Sequence, residues 1–125
     1  MKESIVEEKS KTFALRIIKL YKYLRFNKNE TVMSHQVLRS GTSIGANIAE
    51  ASGATSKKDF LAKVHISFRE CSETKYWLEI LHESEYLTDA EFQSIYDDCI
   101  ELRKLLSSIT KTTRINMNNS KEIEE

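Results

Sequence analysis

A chain of 125 residues, 40% hydrophobic and 30% charged, has the size and composition of one helical domain rather than two domains or a membrane protein. Its 19 basic and 19 acidic residues cancel, so the net charge gives no general attraction for a polyanion. No apolar run is long enough to span a bilayer and the N-terminus lacks the apolar segment of a signal peptide, so we expect a cytoplasmic protein.

The first predicted helix runs from about residue 4 to about residue 27, where an Asn-rich turn, FNKNET, breaks the pattern. Ser4 and Glu7 have the spacing of an N-terminal capping box. Proline is absent and glycine occurs only three times, which favours long uninterrupted helices. The core stripe of this helix consists of Val6, Phe13, Ile17, Leu20, Tyr21 and Leu24.

The opposite side of the first helix is basic, since no acidic residue occurs between Lys9 and Lys28. Leu15 and Ile18 interrupt this basic side with apolar groups. Such a face can remain in solvent, contact another subunit or meet phosphate groups. If it binds nucleic acid, the candidate contacts are Lys11, Arg16, Lys19, Lys22 and Arg25.

The second predicted helix, about residues 31–52, has small residues at every fourth position: Gly41, Gly45, Ala49 and, just beyond its end, Gly53. These positions form one ridge of the helix that is almost free of side chains. Each mid-helix glycine costs about 1 kcal/mol relative to alanine, so we expect a closely packed neighbouring helix to offset that cost. The core side consists of Met33, Val37, Gly41, Ile44, Ile48 and Ala51.

The other side of the second helix carries a polar strip made of Arg39, Ser43, Asn47 and Glu50. The strip can form a hydrogen-bonded seam between helices or subunits, lie in solvent, or bind a ligand. We favour the seam over a ligand site.

The third predicted helix, about residues 57–84, follows a capping box at Ser56 and Asp59. Its core stripe contains Phe60, Val64, Phe68, Cys71 and Leu78. A second apolar patch lies on a different side of this helix and includes the only tryptophan of the sequence. Because tryptophan is enriched at interfaces, this patch favours a subunit interface over a single wide buried face. The candidate interface residues are Ala62, Ile66, Trp77 and Ile80.

The fourth predicted helix, about residues 89–113, follows a capping box at Thr88 and Glu91. In an antiparallel hairpin with the third helix, Cys71 and Cys99 lie nearly opposite each other, as small apolar core residues rather than a redox pair. The polar tail, residues 114–125, has no periodic pattern and is predicted to be disordered. The core side of the helix consists of Phe92, Ile95, Cys99, Leu102, Leu106 and Ile109.

Charge is unevenly distributed, because the hairpin between Glu70 and Glu101 is acidic and Lys75 is its only lysine or arginine. This acidic surface can pair with the basic first helix, within a subunit or between subunits. Catalytic motifs are missing: the histidines are scattered, neither cysteine has a metal-ligand spacing, and the glycines do not form a phosphate loop. We therefore expect no enzyme activity, no cofactor, no metal and no small-molecule substrate.

Several runs resemble one known family over about residues 13–109. The segments are QVLRSGTSIGANIAEASGATSKKDF and LAKVHISFRECSETKYWLEIL. They contain Arg39 before Ser43-Ile44, the run Asn47–Glu50, the helix start Lys58–Phe60 and the run Glu73–Leu78. In these features the chain resembles the bacterial intervening-sequence or S23-type proteins, named after open reading frames inserted in ribosomal RNA genes.

The resemblance implies an all-α, up-down-up-down antiparallel four-helix bundle that assembles as a ring-shaped homopentamer. A related branch, the accessory variability proteins of diversity-generating retroelements, binds a reverse transcriptase and nucleic acid through basic surfaces, whereas the net charge here is zero. We expect a non-enzymatic scaffold whose partner is itself and, as a further partner, RNA or a nucleic-acid enzyme. The alternative is a protein–protein adaptor with no nucleic-acid role, which contacts its partner through the acidic hairpin.

Overall fold

The structure is a computed structural model that describes the backbone of residues 2–124 and the side chains of residues 5–119. Helix α1, Lys2–Lys22, is continued by a π-helical turn, Tyr23–Asn27. Helices α2, Met33–Ser52, and α3, Lys57–Glu83, follow. The last helix, α4, spans Asp89–Glu124. Within these described residues the protein is all-helical and has no strand.

The four helices form an antiparallel up-down-up-down bundle. Helices α1 and α3 each pack against both α2 and α4, so α1 and α3 lie at opposite corners. The direction of each pair follows from cross-helix contacts, in which residues later in one helix meet residues earlier in the next. Arg16 and Lys9 of α1, for example, pair with Asp98 and Glu101 of α4 respectively.

One apolar core runs along the bundle axis, and its burial is the main stabilising contribution. All four helices contribute to it at the helical spacing that the sequence pattern predicts. The two cysteines belong to it as free thiols, with their sulfur atoms 4.0 Å apart. Its largest fully buried apolar side chains are Val6, Phe13, Ile17, Leu24, Val37, Ile44, Val64, Leu78, Leu81, Leu102 and Leu106.

Glycine in α2 allows α1 to approach closely. A Cβ atom at Gly41 would lie 2.7 Å from Cγ1 and 2.8 Å from Cγ2 of Ile17, which is itself fully buried. A Cβ atom at Gly45 would lie 3.3 Å from the backbone oxygen of Ser10. The predicted role of the small-residue ridge is therefore present at Gly41 and Gly45, where side-chain and backbone atoms of α1 fill the space of a missing methyl group.

The predicted N-terminal capping box of α4 is confirmed in both of its hydrogen bonds, and that of α3 in one of them. The Asp59 backbone N–H donates to Ser56 Oγ at 3.0 Å. At the start of α4, the Glu91 N–H donates to Thr88 Oγ1 at 3.2 Å, and the Thr88 N–H donates to Glu91 Oε1 at 2.9 Å. The side chain of Ser4, in the box predicted for α1, lies outside the described residues, and α1 begins before it at Lys2.

Helix α2 begins at Met33, two residues after the predicted start, because Glu30 caps it. The Glu30 carboxylate accepts backbone N–H groups from Val32 at 3.0 Å, Met33 at 2.9 Å and Ser34 at 2.6 Å. Burial alone would raise the pKa of Glu30, but these N–H groups and the Ser34 hydroxyl outweigh it and lower the pKa below its ordinary value. The charge also lies at the positive end of the helix dipole.

The prediction that α4 ends near residue 113 and that a disordered tail follows is wrong, since α4 continues to Glu124. The physical reason is the absence of a stop signal: after Gly53 the chain contains neither glycine nor proline. Thr113 remains within the helix, and its hydroxyl donates to the Ile109 carbonyl at 2.8 Å. The other helix bounds differ from the predicted ones by no more than two residues.

Substituting Gly41→Ala should lower the free energy of unfolding by about 1–3 kcal/mol, because the new methyl group overpacks the contact with Ile17. This loss should appear although alanine favours a helix over glycine by about 1 kcal/mol. Urea unfolding followed by circular dichroism measures it. Gly53→Ala is the matched control, because Gly53 is exposed and its nearest neighbouring atom would be 3.7 Å away. Equal stability of the two variants would contradict the close packing.

Substituting Glu30→Gln should lower the free energy of unfolding by about 1–2 kcal/mol at pH 7, because it weakens the cap of α2. The folded pKa of Glu30 is depressed, so its stabilisation is fully present above the unfolded pKa. It is lost as the pH falls through the lower folded pKa. Urea titrations from pH 7 to pH 3 should show the difference between wild type and variant shrinking, and a constant difference would contradict a charged cap.

Candidate functional site

Two cations of α1, Arg16 and Lys9, bind acidic residues of α4 in the same protomer. The Arg16 guanidinium donates to Asp98 Oδ2 at 2.5 Å, to the Ser94 carbonyl at 3.1 Å and to the Ser94 hydroxyl at 2.9 Å. Lys9 forms an ion pair with Glu101 one turn further along. Of the five residues proposed to contact nucleic acid, Arg16 is therefore held by α4, which reduces its availability to phosphate.

The remaining candidates, Lys11, Lys19, Lys22 and Arg25, are exposed and form no ion pair with any residue whose side chain is described. Large apolar groups lie among them, because Leu15 is 56% exposed and Phe26 is 68% exposed. We define the α1 outer face by residues at helical spacing on the solvent side: Lys11, Leu15, Lys19, Lys22 and Phe26.

Phe26 does not belong to the predicted basic face, because the sequence pattern places it in the turn. The chain instead continues as a π-helical turn in which Leu24 stays buried. The Lys28 N–H donates to the Tyr23 carbonyl at 3.2 Å, five residues back. This wider turn leaves the Phe26 ring on the solvent side, and the apolar run YLRF alone does not signal it.

The predicted interface residues of α3 divide into two groups. Ala62 and Ile66 are exposed, Ile66 by 40%, whereas Trp77 and Ile80 are half-buried. The Trp77 ring packs against the core of its own protomer, and Tyr76, which the sequence pattern does not single out, is 53% exposed. The Tyr76 ring meets the Trp77 ring edge to face, with 5.1 Å between centroids. We define the α3 outer face as Ala62, Ile66, Arg69, Tyr76 and Ile80.

A polar network fixes Trp77 at the edge of the α3 outer face. The indole Nε1–H donates to Glu73 Oε2 at 2.9 Å, and Arg39 of α2 donates to the same oxygen. Arg39 also donates to Glu70 Oε2 at 3.1 Å. Burial would raise the pKa of Glu73, but the hydrogen bonds from Trp77 and Arg39 and the Arg39 charge lower it below its ordinary value.

The polar strip of α2 therefore lies along the boundary with α3, and its ends act as a seam within one protomer. Arg39 makes the network described above, and Glu50 forms an ion pair with Lys63 of α3 at 3.5 Å. Between them, the Asn47 side chain donates to the Ser43 carbonyl of its own helix at 2.9 Å. Arg39, Asn47 and Glu50 therefore have partners within the protomer, as the favoured seam requires.

Half of the ten acidic residues in the acidic hairpin pair with lysine or arginine. Lys75 pairs with Glu79 at 2.8 Å, and the Tyr96 hydroxyl donates to the same carboxylate at 2.6 Å. These hydrogen bonds lower the Glu79 pKa and outweigh its burial. The acidic residues that pair with lysine or arginine are Glu70, Glu73, Glu79, Asp98 and Glu101.

The described side chains contain no cluster of three or more His, Cys, Asp or Glu residues able to hold a metal ion. The hydrogen bond with Cys71, together with burial, raises the pKa of the Cys99 thiol, which opposes formation of a nucleophilic thiolate. Over residues 2–124, none of the helices combines the length and the apolarity needed to cross a membrane. The described surface does offer two exposed, partly apolar faces at opposite corners of the bundle.

Comparison with known proteins agrees with this architecture. A family model described as 23S rRNA-intervening sequence protein matches residues 2–108. A crystal structure at 1.70 Å resolution, of a protein with unknown function from the S23 ribosomal protein family of Bacteroides thetaiotaomicron VPI-5482, is 52% identical and has a TM-score of 0.87. The match covers 89% of this chain and 99% of that chain. No curated protein matches.

Proposed function

The chain belongs to the family of 23S rRNA-intervening sequence proteins, and from this premise we propose that it is a non-enzymatic scaffold that associates with copies of itself. The matched crystal structure is of a protein with unknown function, so the role is inferred from the surfaces of this chain. The observation that carries the proposal is the pair of exposed faces, on α1 and on α3.

The position of the two faces favours a head-to-tail contact. Because α1 and α3 lie at opposite corners, the α1 outer face of one copy can meet the α3 outer face of the next while both copies keep a free face. A contact between two different surfaces gives a ring when the rotation from each copy to the next brings the last copy back to the first. The proposed assembly is a closed homopentameric ring in the cytoplasm, built by repeating this one contact.

The apolar groups of the two faces match. Leu15 and Phe26 on α1 offer apolar area, and Ile66 and Tyr76 on α3 offer an aliphatic and an aromatic partner of similar exposure. The exposed lysines that flank Leu15 can lie over the Tyr76 ring, which attracts cations through its π face. Each outer face thus carries two large exposed apolar groups that a contact between copies would bury.

A mixing experiment tests the head-to-tail contact. Leu15→Glu and Ile66→Glu should each be monomeric, because each places a carboxylate in one of the two faces. Mixed in equal amounts, they should form a heterodimer, because Leu15→Glu keeps its α3 face and Ile66→Glu keeps its α1 face. Native mass spectrometry of the separate and mixed proteins, with a mass label on one variant, measures this outcome.

The control variant is Thr112→Glu, which adds the same charge at an exposed site on α4 and should assemble like wild type. An α3-to-α3 contact between copies would instead leave Leu15→Glu assembled, and mixing would then restore nothing to Ile66→Glu. That result would contradict the head-to-tail proposal.

A second function, binding of RNA through the α1 outer face, is favoured by one observation. Lys11, Lys19 and Lys22 lack an acidic partner among the described side chains, whereas Lys9 and Arg16 have one. Unpaired lysines in a row can neutralise successive phosphates. The same face would then be shared by RNA and a neighbouring copy, so the two functions would compete.

If RNA binds there, reversing Lys22 of this face and the nearby exposed Arg25, in the double variant Lys22→Glu, Arg25→Glu, should lower affinity. Its salt dependence should also be shallower, by about one unit of slope for each phosphate that the variant no longer neutralises. Filter binding of a single-stranded RNA at several salt concentrations measures both quantities. The matched control is Lys57→Glu, Lys58→Glu, an equal charge change at the exposed start of α3. Equal affinity of the two double variants would contradict binding by α1.

A further inference from the structure

A second basic region, separate from α1, lies in the groove between the first half of α3 and the C-terminal half of α4. The groove encloses a cavity of about 360 Å³. This volume lies at the lower end of the range typical of small-ligand sites. The residues that matter for its chemistry are His65, Phe68, Thr110, Lys111, Arg114 and Ile115.

Positive charge in this groove is not balanced. Between residues 102 and 121, α4 contains several lysines and arginines and no acidic residue. His65, Lys111 and Arg114 form no ion pair with any other described side chain, unlike the cations of the opposite half of the hairpin. An anion entering the groove would therefore meet cations that have no acidic partner among the described side chains.

Thr110 supplies a second, independent observation. Its hydroxyl oxygen is buried and has no hydrogen-bond partner among the described residues. Other helical threonines here satisfy that group within their own helix: Thr113 donates to Ile109 at 2.8 Å, and Thr74 donates to Glu70 at 2.8 Å. A buried hydroxyl without a partner is costly, and a rotation of the Thr110 side chain toward the groove would give this donor an acceptor there.

The groove also has apolar walls. Phe68 is half-buried against the core, and Ile115 is 49% exposed. The Arg103 guanidinium lies 5.0 Å from the centre of the Phe68 ring, which adds a further cation beside the groove. A ligand that fits must therefore combine an anionic group with a partly apolar body.

We propose that this groove binds a phosphate ester with an organic body of nucleotide size. A phosphate presents three acceptor oxygens and up to two charges, which match two or three cations and a hydroxyl donor better than a single carboxylate does. Arg114 and Lys111 hold the phosphate, Thr110 donates to one of its oxygens, and the body lies against Phe68 and Ile115. The ester is either a free nucleotide or one unit of an RNA strand.

This site goes beyond the scaffold function and does not depend on it. Its residues lie between α3 and α4, whereas the self-association proposal uses the solvent side of α1 and of α3. Loss of nucleotide binding would leave assembly unchanged, and a monomeric protein would still contain the groove. The two proposals can therefore fail separately.

The experiment is a titration of the ¹⁵N-labelled protein with adenosine 5′-monophosphate, followed by NMR. Amide shifts should be confined to residues around Thr110 and to the facing turn of α3. Adenosine alone should bind more weakly than the monophosphate by about tenfold or more, since it lacks the charged hydrogen-bond acceptors. Hexaadenylate distinguishes the sources when its affinity is read from the amide shifts around Thr110: binding there tighter than that of the monophosphate identifies a strand, and equal or weaker binding identifies a free nucleotide.

Two variants test the assignment of the residues. The charge reversal Lys111→Glu, Arg114→Glu should abolish the shifts, whereas the reversal Lys28→Glu, at an exposed position between α1 and α2, should leave them intact. Thr110→Val should weaken binding by about tenfold, because a hydrogen bond to the charged phosphate is removed. The free Thr110→Val protein should be at least as stable as wild type, because its unpaired hydroxyl is gone.

Two results would overturn the proposal. One is the absence of amide shifts around Thr110 at millimolar adenosine monophosphate. The other is equal loss of binding in both charge-reversal variants, which would mean a general charge effect rather than a site. Retained circular dichroism of each variant excludes unfolding as the cause of weaker binding.

Discussion

The close approach of α1 to α2 at Gly41 is the constraint on which the rest of the molecule depends. The Ile17 side chain of α1 occupies the space that a side chain at position 41 would need. It therefore packs directly against the backbone of α2. This contact sets how α1 lies on the bundle. It buries one side of α1 in the core, turns Arg16 and Lys9 toward α4, and leaves the lysines around Leu15 facing solvent.

Ion pairs between neighbouring helices use some of the charged side chains and leave others without a partner. The boundaries between neighbouring helices carry ion pairs such as Arg39 with Glu73 and Arg16 with Asp98, which align the antiparallel helices. Each exposed pair contributes only about 0–1 kcal/mol, so the pairs specify register more than they add stability. Cations without such partners include those of the α1 outer face and those of the groove beside Thr110, and the α3 outer face adds exposed apolar groups, so all three surfaces are available to other molecules.

The sequence predicts the fold well because the helical spacing of apolar residues shows which side of each helix is buried. The core stripes, the capping boxes at Ser56 and Thr88, and the glycine ridge follow from spacing alone. The Glu30 cap does not, because its carboxylate reaches forward over a turn with no regular pattern. The length of α4 is equally hard to predict, because a polar helix beyond the bundle has no apolar stripe to mark it.

The candidate surfaces are less predictable, because they depend on which side chains meet across helices. The sequence groups Arg16 with the other cations of α1, and only the packing against Asp98 separates it from them. Trp77 is a reasonable interface candidate because it is apolar and off the main stripe, yet Glu73 and the core hold it within its own protomer. The groove beside Thr110 combines residues from two helices that are far apart in the chain.

The central claim is that the outer faces of α1 and α3 meet between copies in a closed assembly, and the molecular mass in solution tests it most directly. Light scattering after size exclusion should be measured over a wide range of protein concentrations. A closed ring predicts one mass, that of the homopentamer, which does not change with concentration above the assembly threshold. A mass of 14.5 kDa at every concentration, that of a single chain, would contradict the account. A mass that rises steadily with concentration would mean that the contact does not close.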